Sequence, residues 1–139
     1  MLTEKQLIEA PEDHYMNDDQ LAFFKRLLES KIAEIEGDVE SAYNNLKEKQ
    51  RDEADELDKA AVEEDLRTRL RFLDRQTKLL PKLREAMRRI EGNEFGFCEV
   101  TGEPIGIKRL LARPTATLCA EEKTRQEQQE KTFSNKRWP

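Results

Sequence analysis

Histidine, cysteine, glycine, proline and aromatic residues are all scarce in this sequence, and each shortage rules something out. His14 is the only histidine, and Cys98 and Cys119 are the only cysteines. Two thiols do not make a disulfide scaffold, least of all in a chain read as cytoplasmic, where the reducing pool keeps thiols open. With 5 Gly and 5 Pro, collagen-like and low-complexity classes are excluded. No apolar run reaches the roughly 18 residues that would suggest a membrane span. The Met1 to Met16 segment scatters acids where a signal peptide would be basic and then apolar, so a cytoplasmic protein without membrane attachment is expected. Gly-rich phosphate loops are missing, as is any nucleophile beside a base, so no enzyme activity is expected. Positive charge is short too. A net charge of −5 gives no excess of Lys and Arg for nucleic-acid phosphates, so direct sequence-specific nucleic-acid binding is not expected.

What is present is charge and helical periodicity. The 139 residues are 40% charged and 36% hydrophobic, a balance that suits long solvated helices around one modest core. Residues 1–15 hold no sustained period and contain Pro11, so they read as a flexible arm with room for one short turn. Asn17 is a good helix N-cap, Gln20 stands where a capping-box partner belongs, and Met16 with Leu21 would form a hydrophobic staple. Leu21, Phe24, Leu28, Ile32, Ile35, Val39, Ala42 and Leu46 then recur at steps of three or four. A second stripe runs through Val62, Leu66, Leu70, Leu73, Thr77, Leu80, Leu83, Met87 and Ile90. Two such stripes with a short polar segment between them predict an antiparallel helical hairpin. At 1.5 Å per residue, arms of roughly 30 residues make a rod of about 45 Å.

Pro81 removes a backbone donor inside the second arm, so a kink or local break is expected there. The arm should stop at Glu91-Gly92-Asn93, with the glycine in the left-handed C-terminal conformation. From Glu94 to Ile107 branched and aromatic residues mix with Gly and Pro, which predicts a short β-hairpin or knuckle. A last helix is expected over 117–133, with a frayed end beyond it.

Between Asp52 and Asp65 eight acids stand against the single base Lys59. They are read either as a solvated turn leading into the second helix or as carboxylates carried on a stiff rod toward a cation or a basic pocket. Charge then reverses: Arg67, Arg69, Arg71, Arg75, Lys78, Lys82, Arg84, Arg88 and Arg89 outnumber the six acids of residues 61–91. These bases suit either an acidic groove in a protein partner or ordinary pairing along a coiled coil.

Cys98 and Cys119 open the frames Cys98-Glu-Val-Thr101 and Cys119-Ala-Glu-Glu122, 17 residues apart. Four cysteines in that spacing would be a strong zinc signature. Here Thr101, a poor ligand, and Glu122, a workable one, hold two of the four positions, so a degenerate, metal-free site is expected. Phe95, Phe97, Val100, Ile105, Ile107, Leu110 and Leu118 are the candidate apolar residues that would hold the base together instead.

The segments Tyr15-Met-Asn-Asp-Asp-Gln-Leu21, Asp55-Glu-Leu-Asp-Lys-Ala60, Phe95-Gly-Phe-Cys98 and Ile105-Gly-Ile-Lys-Arg-Leu-Leu-Ala-Arg-Pro-Thr-Ala-Thr-Leu-Cys119 resemble the DksA family of RNA polymerase secondary-channel regulators. The loss of two thiols is similar to the zinc-free paralogues of that family. The resemblance implies that Asp55, Asp58 and Ala60, in the tip motif D-x-x-D-x-A, meet the active-centre region of RNA polymerase. It implies a channel contact for Arg75 and positions toward the alarmone ppGpp for Lys82, Arg113 and Lys123. Several cations suit a tetraphosphate, which takes many charge-assisted bonds at once. Surface ion pairing is the plain alternative for each.

The expected fold is therefore mainly α: a long antiparallel coiled-coil hairpin, and a small globular domain with a degenerate zinc-finger-like knuckle and a C-terminal helix. The expected division is an arm over 1–15, a globular domain over 16–34 and 81–139 with its knuckle at 94–119, and a hairpin over 35–80 with its acidic tip near 52–60. The expected function is modulation of promoter-complex stability during initiation by a monomer that binds RNA polymerase, with ppGpp as co-regulator and no tightly bound cofactor. Two other readings stay open. One is transcript-cleavage stimulation through tip carboxylates that hold Mg²⁺, as in the similarly shaped Gre factors, whose tips carry an adjacent acid pair. The other is a structural coiled-coil adaptor.

Overall fold

In the computed structural model, the backbone is described for residues 2–52 and 59–136, and side-chain burial for 2–48 and 59–133. The helices are α1 (Glu4–Glu9), α2 (Asp18–Asp52), α3 (Lys59–Glu91), α4 (Ile107–Ala112) and α5 (Ala120–Lys136), with one 3₁₀ turn over Glu12–His14. Among the described residues there is no strand. The chain divides into two compact units, one formed by residues 1–25 with 86–139 and the other by Arg26–Glu85.

The second unit is made from α2 and α3, packed as the arms of a hairpin. Among its described residues, Leu28, Ile35 and Leu83 are buried. An exposed ion pair crosses between the arms, Arg84 Nη2 to Glu36 Oε1 at 2.9 Å. Toward the α3 start the stripe is poorly covered: Val62 and Leu70 are exposed, and so is Thr77, which the period had placed inside. Two helices alone shield only the seam between them, and among its described residues this unit has no third helix to cover the flanks. Helix α3 runs through Pro81 without a break.

In the first unit, α2 starts as its cap residues predict. The Gln20 N–H donates to Asn17 Oδ1 at 2.9 Å. The Gln20 side chain, however, reaches one residue further back than a capping box requires and accepts from the Met16 N–H at 3.0 Å. Gln20 is consequently buried. Residues 2–15 are not a loose arm. Thr3 and Gln6 form a reciprocal capping box on α1, Leu7 is fully buried, and α1 packs on α4. One buried leucine on a short helix is invisible to a period count, yet tertiary contact makes the helix stable.

Phe24 lies at the centre of this unit's core, with its ring centroid 5.2 Å from that of Phe95. Ala86, Ile90, Ile105 and Leu110 are buried as well. Of the other residues expected there, Val100 is exposed, while Phe97, Ile107 and Leu118 are half-buried. Val100 is turned to solvent because it occupies the tip of a tight turn. The left-handed residue after α3 is Asn93 (φ 58°), not Gly92, and the Glu94 N–H closes the helix on the Arg89 carbonyl at 2.9 Å.

Candidate functional site

The segment from Glu94 to Cys119 is a knuckle of turns. Its one β contact is an isolated bridge between Phe97 and Pro104, so the short hairpin suggested by its composition does not extend into strands. Four groups hold the turns in place. Arg89, leaving the last turn of α3, donates through Nη2 to the carbonyls of Glu94 (3.2 Å) and Phe97 (2.8 Å). The Tyr15 hydroxyl donates to the Gly96 carbonyl at 2.5 Å and accepts from the Gly106 N–H at 3.0 Å. Its ring stands edge-on to Phe97. The Arg109 Nε donates to the Leu118 carbonyl at 3.1 Å. Finally, the Glu99 N–H donates to the Thr117 carbonyl at 2.9 Å, which ties the first cysteine turn to the approach to the second.

Cys98 and Cys119 are free, buried thiols. The Cys98 N–H donates to the Glu103 carbonyl at 2.7 Å, and the Gly102 N–H returns to the Cys98 carbonyl at 2.9 Å, so the turn wraps closely around the sulfur. Burial pushes the Cys98 thiol up. Hydrogen bonds from the Thr101 hydroxyl and from the backbone of Thr101, Cys119 and Val100 outweigh it and bring the thiol down to about 6. The Thr101 hydroxyl also lies 3.9 Å from Cys119 Sγ, so one hydroxyl serves both sulfurs.

Glu122, at the last position of the cysteine frame, is buried in the first turn of α5. Arg125 grips it with two bonds, Nε to Oε2 at 3.1 Å and Nη2 to Oε1 at 2.8 Å, and Gln126 Nε2 adds a third to Oε1 at 3.2 Å. The Arg125 hydrogen bonds hold the Glu122 carboxyl below its ordinary value despite burial, and Glu122 in turn raises Arg125.

These groups do not suit a structural zinc ion, which takes four Cys or His ligands. The frame offers two thiols, a hydroxyl and a carboxylate that is already engaged. Among the described residues no three His, Cys, Asp or Glu side chains gather in an arrangement able to hold a metal ion.

The other sequence-predicted positions are scattered. Asp55 and Asp58 lie outside the described residues, while Ala60 is exposed in the first turn of α3. Arg75 is exposed on α3 and lines a shallow groove with Thr68, Arg71 and Asp74. Lys82 is exposed in the second unit. Arg113 is the C-cap of α4, and Lys123 on α5 stands 4.0 Å from Glu127, both in the first unit. Reading the residues alone missed Tyr15, Arg89 and Arg125. The i, i+3 spacing of Glu122 and Arg125 was the available signal for the last.

Comparison with known proteins agrees with this architecture. Residues 20–90 match the family model described as DnaK suppressor protein DksA, N-terminal domain, and residues 93–128 match the prokaryotic dksA/traR C4-type zinc finger. The chain is 42% identical over 132 residues to the RNA polymerase-binding transcription factor DksA of Caulobacter vibrioides, covering 94% of this chain and 93% of the relative. To the protein of that name from Escherichia coli K12 it is 40% identical over 126 residues, 91% of this chain and 83% of the relative. It is also similar to the solved structure of transcription factor DksA2 from Pseudomonas aeruginosa, at 43% identity and a TM-score of 0.83, covering 93% of this chain and 99% of that one. With the hairpin, the knuckle and the cysteine frame all falling within these matches, the chain belongs to the DksA family.

Proposed function

We propose that this chain regulates transcription by binding RNA polymerase in its secondary channel and, with ppGpp, modulating promoter-complex stability during initiation, without zinc. The observation that carries the reading is its 40–42% identity to polymerase-binding relatives over nine-tenths of its length, together with the tip motif Asp55-x-x-Asp58-x-Ala60. A stiff two-helix hairpin is suited to reaching into a channel, and carboxylates at its end act where access is narrow and charge is poorly screened. Asp55, Asp58 and Ala60 take the tip role, Arg75 the channel contact, and Lys82, Arg113 and Lys123 the phosphates of ppGpp. The protein is not an enzyme, and it acts in the cytoplasm, where the polymerase works. It works as a monomer, since the hairpin supplies both helices of its own coiled coil. Hydrogen bonds at the cysteine frame do what a metal would otherwise do.

The test is a promoter-complex lifetime assay with RNA polymerase, with and without ppGpp. Asp58→Asn and Ala60→Thr should abolish the effect on lifetime while leaving polymerase binding intact. Lys82→Ala and Arg113→Ala should remove the ppGpp increment alone. Stimulated RNA release from backtracked complexes, lost in Asp55→Asn, would overturn this reading in favour of transcript cleavage. If all tip variants were silent, the structural-adaptor reading would stand. Metal analysis of protein purified without chelator tests the zinc part separately.

A further inference from the structure

The hairpin unit carries one flank to which the reading above gives no role. The Arg84 to Glu36 ion pair, at 2.9 Å, shows which line of α3 lies beside which line of α2. Steps of seven residues stay on nearly the same face of a helix. Tyr43 therefore continues the Glu36 line, while Thr77 and then Leu70 continue the Arg84 line toward the start of α3. Tyr43 stands level with Thr77, and Leu70 lies about 10 Å further along the rod at 1.5 Å per residue. Tyr43 is 54% exposed and Leu70 is 50% exposed. Lys47 Nζ stands 4.7 Å from the centroid of the Tyr43 ring and steadies a ring that stays open to solvent. Arg75 and Lys82 follow Leu70 and Thr77 by five residues each, which at about 100° per residue turns them roughly 140° away. The apolar flank and the Arg75 and Lys82 face are thus separate surfaces of one rod.

Charge and area decide what covers Tyr43 and Leu70. The ions beside them pair with each other, Arg84 with Glu36 and Lys78 with Asp74, so beyond Lys47 the flank offers little to nucleic-acid phosphates. A second copy of the chain is also a poor occupant. A large aromatic side chain buries about 150–250 Å², so two half-exposed side chains fall far short of the ~800 Å² per partner that a standing dimer needs. They suit a partner that other contacts already hold. A rod lodged in a channel is met on both flanks, and Arg75 and Lys82 supply only one of them.

We propose that Tyr43 and Leu70 dock on an apolar patch in the channel wall of RNA polymerase and hold the hairpin there without taking part in its effect on promoter complexes. This rests on the secondary-channel reading above and deepens it, because it separates grip from action: the flank holds and the tip acts.

Tyr43→Gln, Leu70→Gln and the double variant are compared with wild type for affinity to RNA polymerase and for promoter-complex lifetime at saturating protein. Both side chains are half exposed, so thermal melts should match wild type. Each single change should weaken binding about fivefold and the pair more than about tenfold, with the lifetime effect regained at saturation. Asp58→Asn should show the opposite pattern, with binding kept and effect lost. Hydroxyl-radical footprinting of the wild type needs no variant: polymerase should protect Tyr43 and Leu70 from oxidation. If a variant melts early, the footprint alone decides. The proposal fails if the double variant binds within about twofold of wild type, if its effect at saturation is lost, or if polymerase leaves Tyr43 and Leu70 as oxidisable as in the free protein. A wild-type dimer in sedimentation that the double variant abolishes would give the flank to a second copy and overturn it. A wild type that neither binds polymerase nor changes lifetimes would instead sink the secondary-channel reading itself.

Discussion

Tyr15 is fastened to Gly96 across 81 residues of sequence by a hydrogen bond of 2.5 Å, the hydroxyl donating to the glycine carbonyl. The same oxygen accepts from the Gly106 N–H, so one phenol joins both sides of the knuckle to the start of the chain. Tyr15→Phe should cost about 1–3 kcal/mol in denaturant unfolding, because it leaves the Gly106 N–H without its acceptor and takes one of two donors from the Gly96 carbonyl, which keeps the Ile105 N–H at 2.8 Å.

The pH dependence of that bond has a definite sign. Burial raises the Tyr15 hydroxyl above its ordinary 10.0, against the lowering effect of the Gly106 and Ile105 backbone. The neutral form is therefore the one the fold prefers. Its contribution is complete below the ordinary value and lost as pH rises through the raised one. The stability gap between wild type and Tyr15→Phe should be constant near neutrality and shrink above pH 10.

Gly96 has φ +88°, and a Cβ there would lie 2.7 Å from Met16 Cγ and Sδ. Gly96→Ala should be destabilising by about 1–2 kcal/mol for the left-handed backbone, with about 1–3 kcal/mol more for the collision. Met16→Ala should recover only the second part, and a double-mutant cycle will separate the two.

Arg84 and Arg89 offer a paired comparison. The Arg89 side chain is 10% exposed and donates to two carbonyls, whereas Arg84 and its partner Glu36 are both more than half exposed. Arg89→Met should lose about 1.5–3 kcal/mol per charged bond removed. Arg84→Met should lose less than about 1 kcal/mol, and that loss should vanish in high salt. Thermal melts at two salt concentrations check both.

Phe24→Ala should cost about 3–5 kcal/mol, since the ring is fully buried against Phe95. Loss of the cooperative melt would fit that figure, and a change under about 1 kcal/mol would contradict the core described above.

Where a structural signal was local and repetitive, it was legible in the sequence. Asn17 and Gln20 announced the start of α2, and the two stripes announced its pairing with α3. The burial of Leu7 was not legible, because it depends on α4, about a hundred residues further on. The mixed composition of 94–107 spoke for strands, but its glycines at positive φ turn the backbone too often for a ladder to grow. At the site, the spacing marked Cys98, Thr101, Cys119 and Glu122 as one frame, and the Thr101 hydroxyl does lie 3.9 Å from Cys119 Sγ. What it could not supply was the direction of the Glu122 side chain, which Arg125 decides.

The bonds from Tyr15 to Gly96 and Gly106 also set an order of events during synthesis. The unit formed by Arg26–Glu85 is continuous in sequence, so its two arms can close as soon as they leave the ribosome. The other unit holds Tyr15 in its first segment and needs Gly106, 91 residues later, before that hydroxyl has both partners. At about 5–20 residues per second, Tyr15 waits for several seconds with its ring uncovered. A nascent chain stalled before Gly106 would carry a closed hairpin and an unfinished base, and should be cut by protease near its N-terminus and spared in the arms.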